Sequence, residues 1–298
     1  MKKSLFLSYV YASLAMLMWG YSFIWIKQTF DYLNPVGIIF IRLVISSCLL
    51  LSYVFIFKKV EKIEKKDYKW FLLLAFLEPF VYFLCESNGV KLLPSTIAAI
   101  IISTIPIFTP IAGLFLFKEK ITLLNYLGIV LSFVGITLMV VDDNFNLKAP
   151  IVGLILMFMA VIAGILYTIV TKKIANKYSP IFITTMQNFI GTIYFIPVFF
   201  IFDFQHTINA TYSFDLILNI TYLSVFGSTL AFLFYTISIR DLGISKSALL
   251  TNLIPVFTAI TAYFVLKEKF TCQKITGMII VLFGIMIAEA KIIKSIRQ

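Results

Sequence analysis

The chain has 298 residues, of which 61% are hydrophobic and 13% are charged, and its mean hydropathy is +1.00. A soluble domain is about 45–50% apolar and about 25% charged, so this composition excludes a water-soluble globular protein and indicates a chain that faces lipid. The net charge of +11 is spread over short breaks between apolar runs. It therefore does not indicate binding to nucleic acid.

Ten apolar segments follow one another along the chain, each close to the roughly 20 residues that a bilayer-spanning helix needs. The first begins after Lys2 and Lys3 and is too long for a secretory signal, so we predict a retained spanning helix. The loops between the segments are too short for a soluble domain. The predicted spans are 5–26, 35–57, 70–88, 95–117, 123–141, 150–171, 180–202, 214–237, 245–266 and 273–290.

Lysine and arginine are distributed unequally between the two sides of these predicted spans. With the N-terminus in the cytoplasm, 18 of them fall in cytoplasmic segments, six of these within 58–69, and 6 fall in external segments. Positively charged loops stay on the cytoplasmic side of a membrane. We therefore predict a multi-pass protein of the cell (cytoplasmic) membrane with both termini in the cytoplasm.

The two halves of the chain repeat one segment. Residues 105–120 read IPIFTPIAGLFLFKEK, and residues 254–269, which lie 149 positions later, read IPVFTAITAYFVLKEK, with nine of sixteen positions identical. Each half holds five predicted spans, and because five is odd the second half inserts upside down relative to the first. This arrangement is typical of secondary transporters. We predict two inverted five-helix repeats, 1–145 and 146–298.

Glycines recur at the same distance. Gly128 and Gly135 in the fifth span match Gly277 and Gly284 in the tenth. The seven-residue spacing puts each pair on one helix face, where small residues let a neighbouring helix approach closely. These faces pack either within one subunit or between two, so the sequence leaves the oligomeric state open.

These motifs resemble those of the EamA-type transporters of the drug/metabolite transporter superfamily, and the likeness covers nearly the whole chain. It rests on Trp19–Gly20 followed by Lys27, on NPVGIIFIR ending at Arg42, on FLEPFVYFLCESNGVKLLPSTIAAII, and on the duplicated helix ending in KEK. The resemblance implies ten helices around a cavity lined mainly by the third, fourth, eighth and ninth, with parts of the first and sixth. It also implies metabolite export, without specifying a substrate. One departure is Gln187, which stands where a duplicate of Arg42 would map.

Glu78 is the strongest candidate for a functional residue, because it lies near the middle of the third span. A charge at the bilayer centre costs about 2.5–3.5 kcal/mol, so this carboxyl should face a cavity or a partner. There it would bind a substrate ammonium or carry a coupling proton. The alternative is an inward glutamate satisfied by neighbouring polar groups. Pro79 follows it and removes one helical hydrogen bond, which either builds an interrupted helix beside a site or only kinks it.

Glu86 lies eight residues further along nearly the same helix face, close to the outer end of the span. Arg42 enters the second span from the outer side and reaches a similar depth. We predict an Arg42–Glu86 ion pair, which serves either as an outer gate or as a structural link between helices.

Prolines interrupt the two copies of the repeated segment. Pro106 and Pro110 fall in the fourth span and Pro255 in the ninth, beside the polar residues Ser103 and Asn252. Substrate contact and simple helix bending are both open explanations. A tyrosine-rich cavity would suit amino acids, flat aromatic solutes and cations. The aromatic candidates for its lining are Trp19, Tyr21, Tyr82, Tyr167 and Tyr235.

Glu119 and Glu268 occupy equivalent positions before Thr122 and Thr271. A carboxylate or hydroxyl near a helix N-terminus stabilises its unpaired N–H groups. We predict that these residues cap the helices that follow them and do not bind substrate.

Motifs of other functional classes are missing from the sequence. It contains no GxxxxGK[ST] nucleotide loop, no TVGYG filter and no HExxH or GxSxG motif. The cysteines and the single histidine lack metal-ligand spacing. We predict a secondary transporter, without enzyme activity, cofactor or metal, that exports a small metabolite, an amino acid or related amphipathic amine, by alternating access. The alternative is a multidrug or organic-cation exporter. A polytopic membrane enzyme or lipid-handling protein is a more remote alternative.

Overall fold

The computed structural model describes residues 2–108, 123–140 and 149–288. Within these ranges the chain is helical and contains no β-strand. Seven helices are long and apolar enough to cross a membrane, and three shorter apolar helices accompany them. An all-α membrane protein was expected from the composition, and this is what the described residues form. The count of ten spans and the side on which each terminus lies stay predictions.

The helices that matter for the site are numbered in chain order, and a short helical segment, Phe204–Ile208, follows the seventh without a number. Their bounds are α1 (Lys2–Thr29), α2 (Pro35–Ile56), α3 (Lys65–Leu92), α4 (Ser95–Phe108), α5 (Leu123–Val140), α6 (Ile151–Ala175), α7 (Pro180–Phe202), α8 (Phe214–Leu242), α9 (Lys246–Val265) and α10 (Cys272–Ala288).

Four helices are interrupted by a turn. In α3 a wide π-helical turn spans Phe76–Val81, and Glu78 within it has extended backbone angles, φ −147° and ψ 118°. A similar wide turn spans Leu223–Leu230 in α8. In α4 and α9 the break is a turn two to four residues before Pro106 and Pro255, and it holds Ser103 and Thr251. The predicted break at Pro110 lies outside the described residues.

α2 and α7 begin alike, and each is capped by a carboxylate from the other half of the chain. Asp203, after α7, accepts hydrogen bonds from the Gly37 amide at 2.5 Å and from Asn34 Nδ2 at 3.1 Å at the start of α2. Glu61, after α2, accepts from the amide and hydroxyl of Ser179, the residue before α7. A negative charge at a helix N-terminus is favourable. These reciprocal contacts join the two halves of the chain.

Two lysines 145 residues apart make matching contacts at helix C-termini. Lys27, at the end of α1, donates to the carbonyls of Val90 at 2.7 Å and Leu93 at 2.9 Å, at the end of α3. Lys172, near the end of α6, donates at 3.2 and 3.1 Å to the carbonyls of residues 239 and 240, at the end of α8. A lysine ammonium satisfies carbonyls that have no helical partner.

Glu268 corrects one prediction about capping. Its carboxylate accepts from the Ser95 amide at 2.8 Å and from Thr96 Oγ1 at 2.7 Å, so it caps α4 and not the helix that follows it. The predicted role of Thr271 holds, because its hydroxyl accepts from the Lys274 amide at 3.2 Å at the start of α10. The equivalent residues 119 and 122 lie outside the described ranges.

The glycine faces of α5 and α10 pack against each other within one chain. A Cβ added at Gly135 would lie 2.6 Å from the Gly277 carbonyl oxygen, and one added at Gly284 would lie 2.8 Å from the Gly128 carbonyl oxygen. Only glycine permits backbones to approach this closely. Of the two arrangements that the sequence allowed for these faces, the structure has the one within the subunit.

Candidate functional site

A small cavity lies at the centre of the molecule, bordered by helices from both halves. Its volume is about 40 Å³, room for a few water molecules and for no larger solute. Trp19 is partly buried, and every other lining residue is buried. The lining residues are Trp19, Ser22, Phe23, Arg42, Glu78, Tyr82, Phe83, Glu86, Ile102, Ile105, Gly164, Tyr167, Thr168, Phe232, Tyr235, Thr251 and Ile254.

Two carboxylates from α3 form the acidic side of the cavity. Glu78 is 5% exposed, and the wide turn around it brings its side chain to the cavity wall. Among the described residues no hydrogen bond or ion pair reaches its carboxylate. Glu86 lies two turns further along and accepts a hydrogen bond of 3.3 Å from the Tyr82 hydroxyl. The two glutamates therefore differ, because Glu86 has a hydrogen-bond partner in the described part of the chain and Glu78 does not.

Arg42 supplies the positive charge of the cavity from α2. Its Nε donates to Ser228 Oγ at 2.8 Å, and its guanidinium lies over the Phe83 ring, 4.1 Å from the ring centroid. Gly227 leaves room for it, because a Cβ there would lie 3.3 Å from Nη2. These contacts hold the guanidinium in one place while part of it still faces the cavity.

The predicted Arg42–Glu86 ion pair is not formed. Both side chains are described and both line the cavity, but no nitrogen–oxygen distance within 4.0 Å joins them. The physical reason is that Arg42 has other partners: Ser228 of α8 accepts the Nε hydrogen bond, and the Phe83 ring of α3 covers the face of the guanidinium. Neither the gate nor the structural link that we predicted for this pair exists as a direct contact here.

Aromatic rings form the opposite wall. Trp19 lies edge-on to Phe232 and Tyr235, with ring centroids 5.1 and 5.0 Å away. Its Nε1 donates to the Gly227 carbonyl at 3.2 Å, which satisfies a carbonyl of the wide turn in α8. The Tyr167 hydroxyl donates to Gln187 Oε1 at 3.4 Å. The wall is thus rigidly packed and offers ring surfaces, which attract cations and apolar groups.

The charges of the cavity are unbalanced. With all three groups ionised, two carboxylates face one guanidinium, and none of them forms a salt bridge with another. A buried charge without a partner is costly, and the cost falls when an opposite charge enters. This arrangement can therefore take up a cationic group beside Glu78, and a carboxylate beside Arg42.

The structure brings together most of the predicted site residues and leaves three aside. Tyr21 is 39% exposed and does not line the cavity. The Ser103 hydroxyl donates to the Ile100 carbonyl at 2.7 Å within its own helix. Asn252 lies next to the lining residue Thr251, and its buried Oδ1 has no hydrogen-bond partner among the described atoms. Those that do line the cavity are Arg42, Trp19, Glu78, Tyr82, Glu86, Tyr167 and Tyr235.

Several lining residues were missed, and the repeat distance would have found two of them, Gly164 from Trp19 and Ser22 from Tyr167. Fourteen of the seventeen lining residues form pairs separated by 145 positions for α1 and α6, or by 149 for α3, α4, α8 and α9. The three unmatched ones are Arg42, Glu78 and Tyr82, whose counterparts are uncharged: Gln187, Gly227 and Ala231. The pairs are Trp19/Gly164, Ser22/Tyr167, Phe23/Thr168, Phe83/Phe232, Glu86/Tyr235, Ile102/Thr251 and Ile105/Ile254.

The similar proteins found by sequence comparison include several that are named as transporters. An uncharacterized transporter of Archaeoglobus fulgidus is 28% identical over 281 residues, which cover 94% of this chain and 96% of the relative. A second transporter of that organism is 26% identical over 95% of this chain and 99% of its own length. The uncharacterized transporter YetK of Bacillus subtilis is 27% identical over 84% of this chain and 77% of its own length.

A solved structure and a family model cover nearly the same range. The crystal structure of a protein 12% identical in sequence superposes with a TM-score of 0.69 over 94% of this chain and 97% of that one, which shows a shared fold. The model of the EamA-like transporter family matches residues 6–141 and 151–289. The resemblance seen in the motifs is confirmed: this chain belongs to the EamA-like transporter family, within the drug/metabolite transporter superfamily, and is a multi-pass membrane transporter.

Proposed function

We propose that the protein exports a small metabolite, an amino acid or a related amphipathic amine, across the cell membrane by alternating access. The observation that carries this proposal is the carboxylate of Glu78. It is buried at the cavity wall halfway along a membrane-crossing helix, and no described residue pairs with it. A substrate ammonium would supply the missing partner.

The guanidinium of Arg42 fits the carboxylate end of a zwitterion. Arg42 is fixed by Ser228 and Phe83, and its remaining N–H groups are available to a carboxylate, which a guanidinium binds well. The aromatic wall of Trp19 and Phe232 would take the side chain of the solute. Because the cavity holds only about 40 Å³, it must widen before a solute enters.

Alternating access is supported by the match between the two halves. The family model matches the chain as two stretches, and paired lining residues and reciprocal helix caps recur at nearly constant distances in sequence. Two inverted repeats, 1–145 and 146–298, would exchange conformations about a central site and open it to each side in turn. All three charges lie in the first repeat and have uncharged counterparts in the second, so the site itself is asymmetric.

A proton is a candidate coupling ion, with Glu78 as its carrier. A carboxylate that alternates between a substrate ammonium and a proton would couple export to proton entry. If so, Glu78→Gln abolishes the response of transport to an imposed pH gradient, whereas unchanged pH-dependent transport removes Glu78 from the mechanism.

A second candidate function is export of organic cations. The surplus carboxylate and the ring faces of Trp19 and Tyr235 favour it, because both attract a cation without requiring a carboxylate on the solute. The two candidates differ in what Arg42 does: it binds substrate in the first and only balances charge in the second.

Exchange in proteoliposomes tests these candidates. Vesicles would be loaded with labelled amino acids or with lipophilic cations, with and without a pH gradient. Exchange of one zwitterionic class is the expected result. Movement of lipophilic cations alone would support the second candidate, and conversion of a solute into a new chemical species would contradict transport.

A further inference from the structure

A dense group of lysines lies at one end of the helix bundle. The loop between α2 and α3 and the start of α3 together carry six, and all six are exposed. The end of α6 and the loop that follows it add two more exposed lysines beside them. We call this surface the lysine face, and its residues are Lys58, Lys59, Lys62, Lys65, Lys66, Lys69, Lys173 and Lys177.

Three carboxylates of the first of these two segments contact the loop between α6 and α7. Glu61 accepts hydrogen bonds from Ser179. Glu64 and Asp67 both contact the Lys177 amine, at 2.6 and 2.5 Å. Hydrogen bonds from Lys177 and from the Tyr178 hydroxyl lower the pKa of Asp67 below its ordinary value, so this group is anionic at neutral pH. These contacts join the two loops into one surface and use up its negative charge.

Lys66 is paired with Glu64 at 3.0 Å, whereas three lysines nearer α2 are unpaired among the described residues. In the part of the chain that the structure describes, no carboxylate lies within 4.0 Å of the amines of Lys58, Lys59 or Lys62. Exposed apolar side chains stand among them. Phe57 and Val60 are each 57% exposed. Such a surface, with ammonium groups and exposed apolar side chains side by side, suits the headgroup layer of a bilayer. That layer accommodates both kinds of side chain.

The position of the lysine face decides its partner. Both loops join helices that cross the membrane, and the contacts between the loops place them at the same membrane surface. We propose that the lysine face binds anionic phospholipid headgroups of the surrounding bilayer. Clustered lysines beside a membrane-crossing helix are attracted to such headgroups. A soluble acidic protein fits less well, because the exposed apolar side chains lie at bilayer level.

A lipid titration followed by native mass spectrometry tests the proposal independently of any transported solute. The detergent-solubilised full chain would be titrated with phosphatidylglycerol or with phosphatidylcholine of the same acyl chains. The test variant replaces Lys58, Lys59 and Lys62 with glutamine. The control replaces Lys267, Lys269 and Lys274 with glutamine. It removes the same amount of charge near Glu268, beyond the other end of α3. Melting temperatures of both variants confirm that they fold.

The wild-type chain should bind phosphatidylglycerol more tightly than phosphatidylcholine. A lysine close to an anionic surface contributes roughly fivefold to affinity, so the test variant should lose at least tenfold of the affinity for phosphatidylglycerol and little of that for phosphatidylcholine. The control should lose less than threefold. Equal affinity of the wild type for both lipids, or equal losses in both variants, would overturn the proposal. Displacement of the lipid by a soluble polyglutamate at equal charge would overturn it too, in favour of a protein partner.

Discussion

Replacing Gly135 with leucine should separate α5 from α10 and destabilise the protein. A Cβ at this position would lie 2.6 Å from the Gly277 carbonyl oxygen, 2.6 Å from Val281 Cγ2 and 2.9 Å from the Val281 amide nitrogen. Two of these atoms belong to the backbone of α10, so no change of side-chain rotamer relieves the overlap. The helices must move apart by several tenths of an ångström or more along their contact.

The expected change in the free energy of unfolding follows from two opposed effects. Leucine favours a helix over glycine by about 0.8 kcal/mol in water-soluble hosts. Overpacking a tight contact costs about 1–3 kcal/mol, and more where backbone atoms are involved. The clash therefore exceeds the helix propensity, and the free energy of unfolding should fall by roughly 1–2 kcal/mol.

Unfolding in mixed micelles with increasing sodium dodecyl sulfate measures this change. Val134→Leu is the matched control, because Val134 neighbours Gly135 on the same helix and is 47% exposed on the outer surface of the bundle. It should unfold as the wild type does. If Gly135→Leu retained full stability but changed the oligomeric state, the glycine face would pack between subunits and this reasoning would be refuted.

Three further predictions concern polar contacts. Arg42→Gln removes the charged hydrogen bond to Ser228, and should lower stability by about 1.5–3 kcal/mol; the same micelle titration checks this, and an unchanged midpoint would contradict it. Glu268→Ala removes the cap of α4, worth about 1 kcal/mol, so hydrogen exchange at the Ser95 amide should accelerate about fivefold, with unchanged exchange as the contrary result. Asp67→Asn should lower the melting temperature by a constant amount between pH 5 and 8. That difference should shrink below about pH 4. A carboxylate with a lowered pKa contributes stability above its unfolded pKa, near 3.8, and this contribution is lost as the pH falls. A difference that grows in acid would contradict this prediction.

The sequence predicted those features that depend on residue type and spacing. The cost of a charge inside a membrane located Glu78 at a buried site, and the fixed distance between glycines identified the close contact between two helices. The same distance contained more information than we used, since it also pairs Phe83 with Phe232 and Ile105 with Ile254 in the cavity wall.

The contacts of single polar groups were not predictable in the same way. Arg42 and Ser228 are 186 positions apart, and they meet because α8 forms a wide turn beside Gly227. Glu268 and Ser95 are 173 positions apart. Capping rules that relate a residue to its own next helix contain no information on such partners, because the partner is set by how the two halves pack together.

The most direct test of the account is exchange of the transported solute by Glu78→Gln in proteoliposomes, at constant pH and without a gradient. Glutamine keeps the shape of the side chain and removes the charge that faces the cavity. Tyr21→Phe is the control, because Tyr21 lies outside the cavity. We expect at least a tenfold loss of exchange in Glu78→Gln and none in Tyr21→Phe. Exchange by Glu78→Gln at the rate of the wild type would contradict the claim that this cavity is where the solute binds.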